Sequence, residues 1–439
     1  MHYRDNLSIL LSVLNKHFYT PGPKVILKKS ATILLVILSL LLFLKVSLEF
    51  ISPYIKTDAA KNIPSDSDFT AYLTAANILK DHKIEQLYDT NIQKEYQEKL
   101  TGLDQNSILS FRNPPILAYI YLPYTFMEPL TAYRVNIFVQ LILILTLVLL
   151  IYREVKPPKY VLFILLAFLP LPIQLYLGQI APVIAIIFIL ILKYIKKPNW
   201  LVVGILAGLL FVKPQYLIVL PYLALLASNT RNLRKLLTGF LIVLGTLAAL
   251  SSLLYGQDFI KNYLTFLINS ENSLMGTRLS GNYNLLGLRE FLIQNQIINL
   301  PHGTILLVTI ILYIFSLYLL RKSKNKNISL TYSAVLLWTH SLNFHTIVTD
   351  LISLSIPLAV LFSTTIYGAQ YKFLSTNKLK FLGIILLTLP LSAVFEAEGF
   401  ASLVLLIGGF TIAGTWYAVT KKVNGVVGAP GLEPGTSRV

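Results

Sequence analysis

Apolar runs decide what this chain can be. Residues 31–50 and 236–255 are each long enough to cross a hydrocarbon layer of roughly 30 Å as a helix. A backbone in lipid has to satisfy its own hydrogen bonds, so runs of this length select helices. Further runs lie at 131–152, 159–177, 180–194, 199–212, 215–228, 303–320, 328–342, 345–363, 381–395 and 400–418, giving about 12 transmembrane helices. The expected fold is an all-α polytopic membrane protein. Charged residues make up 13% of the 439 residues, about half the share usual in a soluble domain. The absence of cysteine excludes a disulfide framework, a thiolate metal site and a cysteine nucleophile.

The net charge of +17 suggests an anionic partner until the basic residues are located. Lys28 and Lys29 precede the first run, which keeps the N-terminus cytoplasmic. Residues 51–112 are then extracytoplasmic. The segment 113–127 either crosses, which reverses every later loop, or dips in and returns. With a dip, the arm 1–30, the loops at 153–159, 193–198, 229–235, 321–327, 364–380 and 420–424, and the tail hold 24 of the 37 basic residues. They hold only three acids, Asp5, Glu154 and Glu433, so the rest of the chain carries a net −4. Bias toward the cytoplasm therefore accounts for the whole excess, and no nucleic-acid partner is expected. The resulting organisation is a cytoplasmic arm 1–30, a membrane domain 31–419 and a disordered Gly/Pro-rich tail 420–439. Outer loops fall at 51–130 and 256–302, both termini are cytoplasmic, and the expected location is the plasma membrane.

Phe69, Tyr72, Leu73, Ala76 and Leu79 form the apolar stripe of an amphipathic helix. A second short helix after Thr90 carries Ile92, Tyr96 and Leu100. Such helices lie in the membrane interface. Polar residues gather in the outer turns: Asp66 and Asp68, Asn113 before Pro114 and Pro115, Gly178 and Gln179, Lys213 with Pro214 and Gln215, Asn282 and Asn284, and Asn343 with His345.

Lys213 interrupts apolar sequence, where a charge costs about 2.5–3.5 kcal/mol at mid-depth. It reads either as an ammonium for a phosphate or as a lysine reaching headgroups. His345 reads as a ligand or as a helix-start cap. Gln179 and Gln215 read as ligands or as hydrogen-bonding glue between helices. Asp350, about 140° around a helix from His345, needs a partner of its own, and structural pairing is the expectation. No spacing of His, Asp or Glu suggests a metal, and no phosphate loop or dinucleotide fingerprint is present. No metal or cofactor is expected.

Several pieces recur in one order: Asp68-Phe69 with Tyr72 and Ala75, Leu87-Tyr88-Asp89, Phe111 with Pro114-Pro115, Gly178-Gln179, Lys213-Pro214-Gln215, and the late turn Asn343 to Asp350. From Asp68 to about Val360 the chain thereby resembles the membrane glycosyltransferases of family 87, which include polyprenyl-phosphate-mannose-dependent mannosyltransferases. It departs in opening the dipping segment with Asn113 rather than an aromatic, and in carrying the single His345 in the late turn. The resemblance implies a GT-C-like bundle with interfacial helices in the first outer loop. It implies an inverting transfer of a hexose, mannose in the relatives, from a polyprenyl-phosphate-linked donor to an extracytoplasmic glycolipid or glycan acceptor. Asp68 aligns with the catalytic acid, with Asp66 as the alternative base. Lys213, Gln215, His345, Gln179 and Asn113 are the expected donor-binding residues. By its residues alone Asp68 reads as an ordinary helix N-terminal acid. Two other classes stay open, a lipid-saccharide flippase or transporter and a non-catalytic binder of a lipid-linked sugar. Polar groups at one face, without an internal repeat, favour the enzyme over the transporter.

Overall fold

The computed structural model describes residues 62–102, 109–166, 168, 170–256, 259–272, 302–322, 327–343 and 346–367, with isolated positions between 37 and 54 and between 405 and 409. The arm, the tail, the run 381–395, most of 31–50 and 400–418, His345, Asn282 and Asn284 lie outside the described residues.

Every regular element among the described residues is helical. Ser67 caps α1 (Asp68–Lys80) by accepting from Thr70 N, and Asp89 caps α2 (Thr90–Thr101) by accepting from Asn91 N at 2.8 Å. Helix α3 (Ile116–Tyr121) continues as a 3-10 turn, Leu122–Phe126. Then come α4 (Pro129–Val155), α5 (Lys159–Leu166), α6 (Pro170–Leu177), α7 (Ala181–Lys196) and α8 (Trp200–Leu209). Two 3-10 segments, Leu210–Val212 and Pro214–Val219, flank Lys213 before α9 (Leu220–Leu226). The rest is α10 (Thr230–Tyr255), α11 (Phe259–Asn272), α12 (His302–Lys322), α13 (Ile328–Ser341), a 3-10 segment Val348–Leu354 and α14 (Ser355–Tyr367).

About twelve spans were expected, and the described residues do not show that number. Helices α4 and α10 are long and apolar enough to cross a bilayer, and α5 with α6 makes a third if that pair, bent by 46°, is one span. The physical reason lies in the breakers. The run 159–177 breaks before Pro170, and proline disfavours helix in the residue ahead of it. The runs 199–212 and 215–228 stop on either side of Lys213-Pro214, leaving pieces too short for a full crossing. The apolar segment Ile116–Phe126 reaches roughly 20 Å by its helical rise, and it packs on α1.

Helix α1 also differs from expectation. A single buried stripe was expected, but Phe69 to Ala76, Ile78 and Leu79 are all buried, because α2, α3 and the following 3-10 turn enclose it. An interfacial helix with one wet face is therefore not what forms. Helix α2 buries Gln93 and Gln97 beside Tyr96. Those amides bond the backbone of the incoming strand: Gln97 Nε2 donates to Leu109 O at 2.7 Å, and Phe111 N donates to Gln93 Oε1 at 2.8 Å.

The bundle has two chemically different ends. Lys196 Nζ donates to Glu154 O at 2.8 Å and Lys193 stands 3.9 Å from Glu154, so α4 and α7 finish together. Helix α8 starts at that end, and α10 crosses it so closely that a Cβ on Gly204 would overlap the Leu236 carbonyl. Arg153, Lys156, Lys193, Lys196, Lys197, Arg231, Arg234 and Lys235 therefore share one end. At the opposite end Tyr133, near the start of α4, donates to Tyr176 O at 2.7 Å. Gln179 precedes α7 and Lys213 follows α8 there.

Candidate functional site

Four segments far apart in sequence converge at that second end. Lys213 Nζ donates to Asp350 Oδ1 at 2.5 Å and to Gln179 Oε1 at 3.0 Å. Thr349 Oγ1 donates to the same Gln179 oxygen at 2.8 Å. With Oε1 accepting twice, the Gln179 amide nitrogen is left to donate to Asp68, whose ionised form it favours. The Lys213 and Asp350 side chains are 7% and 1% exposed, so this is a buried ion pair. Asp350 Oδ2 also accepts from Ile347 N at 3.2 Å, which fixes the carboxylate from both oxygens.

Local structure explains the convergence. Gly178 has φ of 66°, a left-handed conformation that side chains rarely adopt, and a Cβ there would come within 2.9 Å of Phe69 Cβ. The turn can therefore press Gln179 against the head of α1. Gln174 donates to both Gln140 Oε1, at 3.1 Å, and the Gln179 carbonyl. Asn113 Nδ2 donates to Val212 O at 3.1 Å, tying the segment ahead of α3 to the residue before Lys213. Tyr88 OH donates to Asn113 O at 3.0 Å. The Leu87-Tyr88-Asp89 motif thus serves as scaffold: Leu87 O accepts from Gln93, Tyr88 holds Asn113 and Asp89 caps α2.

Asp68 is closely surrounded by protein yet keeps part of its surface accessible, as a group at the floor of a recess does. Burial raises its pKa from 3.8 to about 6, against the lowering effects of Lys213 and Gln179; Asp350 and Asp66 add to the rise. Asp66 differs: it is exposed and accepts from Tyr176 OH at 2.5 Å.

Of the residues expected at a site, Asp68, Gln179 and Lys213 come together, and Asn113 lies beside them through Val212. Gln215 sits in the next 3-10 segment, partly buried, and its side chain makes no hydrogen bond to a described residue. His345 falls outside the described residues. Lys213 is not a free ammonium, because Asp350 and Gln179 occupy two of its three donors. The reading of the sequence missed Thr349 as a contributor and left the partner of Asp350 unnamed. One signal was present: Lys213 and Asp350 are opposite charges stranded in apolar runs, and such charges pair. Among the described residues no three His, Cys, Asp or Glu side chains gather as a metal site.

A helical membrane protein with a carboxylate, an ammonium and an amide buried at one end of its bundle is the class defined so far. The chain belongs to glycosyltransferase family 87, whose sequence model matches residues 111–342, more than half of the chain. The match takes in Asn113, Gln179, Lys213 and Gln215, while Asp68 and Asp350 lie outside it. No curated protein and no solved structure matches the chain. The family makes it a glycosyltransferase.

Proposed function

We propose that this glycosyltransferase moves a hexose from a polyprenyl-phosphate donor to a glycolipid or glycan acceptor at the outer face of the plasma membrane. The observation that carries the reading is the Asp68–Gln179–Lys213 cluster. In the proposed step the acceptor hydroxyl gives its proton to the Asp68 carboxylate while its oxygen bonds the anomeric carbon. The bond from that carbon to the phosphate oxygen breaks, and the lipid phosphate leaves as an anion, inverting the anomeric configuration. A base works best with a pKa near the operating pH, and the value of about 6 supports Asp68 in that role. Two of the three Lys213 N–H bonds are directed at protein, and the third, without a partner among the described residues, is the one to meet the leaving phosphate. The exposed, tyrosine-bonded Asp66 is the weaker candidate.

The orientation follows from charge. Eight basic residues at the end opposite the cluster support a cytoplasmic position for that end and an outer position for the cluster. On this reading 113–127 dips from the outer face. The short apolar helices complete a polytopic GT-C-like bundle of about twelve membrane segments, some of them incomplete spans.

Purified protein in lipid vesicles, supplied with labelled polyprenyl-phosphate hexoses, tests the reading. At least one donor should bind and be transferred or hydrolysed, and Lys213→Ala should weaken its binding by about tenfold or more, the loss of one charge-assisted hydrogen bond. Binding by no polyprenyl-phosphate hexose overturns the donor class. Equal affinity in Lys213→Ala leaves Lys213 as a structural cation.

A further inference from the structure

His340 is a buried histidine in the last turn of α13 that the proposed chemistry does not use. It touches both segments that carry the Lys213–Asp350 pair. On one side its Nε2 meets the Ser353 hydroxyl, and Ser353 Oγ donates to Asp350 O at 3.3 Å. Either atom can be the donor in the first contact, according to the imidazole tautomer, and in both cases the bond ties the ring to Ser353. The His340 carbonyl accepts from Thr346 Oγ1 at 2.8 Å. Thr346 and Ser353 bracket the stretch that contains Thr349 and Asp350. On the other side the His340 ring meets Tyr216 edge-on with centroids 5.6 Å apart. Tyr216 N in turn donates to Lys213 O at 3.0 Å. Phe188 of α7 backs the same ring at 6.5 Å.

Both carriers are short 3-10 segments, whose poor hydrogen-bond geometry gives them little rigidity of their own. A lysine ammonium is also a point charge on a flexible stem, so its position is set by what surrounds it. We propose that His340 is a positioning residue: wedged between Tyr216 and Ser353, it sets the distance between Lys213 and Asp350 and holds Asp350 toward the site. The effect on transfer rests on the glycosyltransferase reading above, whereas the effect on the segment does not.

Three variants of the full chain in lipid nanodiscs test this. His340→Phe keeps an aromatic ring and removes the hydrogen bond to Ser353, His340→Gln keeps a side chain that can donate or accept, and Ser353→Ala removes the hydroxyl partner with the loss of a single oxygen. Amide hydrogen exchange over 346–353 should quicken in His340→Phe and Ser353→Ala and stay near wild type in His340→Gln. Transfer should follow the same order, with kcat falling by up to about 10²-fold, the cost of misplacing a reacting group by about 1 Å. In a Lys213→Ala background the His340→Phe loss should disappear, because both changes act on one pair. Unchanged exchange in both His340→Phe and Ser353→Ala overturns the proposal, and so does a His340→Phe loss that multiplies with that of Lys213→Ala. If even wild type transfers from no polyprenyl-phosphate donor, the donor reading fails by itself and exchange alone decides the positioning role.

Discussion

Asp68 and Asp66 carry the same charge two residues apart, yet Asp66 is exposed while burial raises the pKa of Asp68 to about 6. A carboxyl whose folded pKa lies above its unfolded value binds its proton more tightly when folded. Its contribution therefore opposes folding once it ionises: absent below about pH 4, growing up to about pH 6 and complete above it. Asp68→Asn should then melt at or above the wild-type temperature at pH 8, with the advantage fading toward pH 4. A melting point lowered at pH 8 would mark Asp68 as a structural acid. Single residues were legible in the sequence where their chemistry clashed with their surroundings, as with Lys213 in apolar sequence and Gln179 beside a turn glycine. Thr349 was not, because a threonine in a helical run carries no such conflict. The joining of Lys213 to Asp350 across 137 positions is a property of the fold.

Elements show how the site is held in place. The Gly178 turn brings Gln179 to the head of α1, and a Cβ there would meet both strain and Phe69. Gly178→Ala should cost more than about 1 kcal/mol, the scale for a side chain forced into left-handed backbone, and should displace Gln179. The expected outcome is a lower melting temperature together with reduced transfer, measured on the same preparation. Unaltered melting would mean the turn relaxes freely. Helices α1 and α2 were legible from the period of their apolar residues, and the structure adds the N-caps Ser67 and Asp89. Their burial was not legible. Gln93 and Gln97 look like a wet face in sequence, and they turn inward because the backbone of 109–111 needs partners.

At the scale of the molecule, membrane character and charge asymmetry were readable because hydrophobicity and charge sum along the chain. The boundary at Lys213-Pro214 was readable too, where the runs 199–212 and 215–228 end and begin, whereas the break before Pro170 inside the run 159–177 was not, because its composition alone suggests continuity. The cluster and the basic ends lie at opposite ends of α4, α7 and α8, so labelling tests both positions at once. The chain has no cysteine, and single cysteines placed at 91 and 232 should label from outside and inside respectively in intact cells. Labelling of both from the same side would contradict the two-ended architecture. The central claim is that Asp68 takes the acceptor's proton. Its most direct test is the rate of sugar transfer from a polyprenyl-phosphate donor by Asp68→Asn and by the matched Asp66→Asn variant. The account predicts a fall of about 10²–10⁴-fold for Asp68→Asn, the usual range for losing a general base, with donor binding retained and Asp66→Asn near wild type. Equal, small losses in the two variants would contradict it.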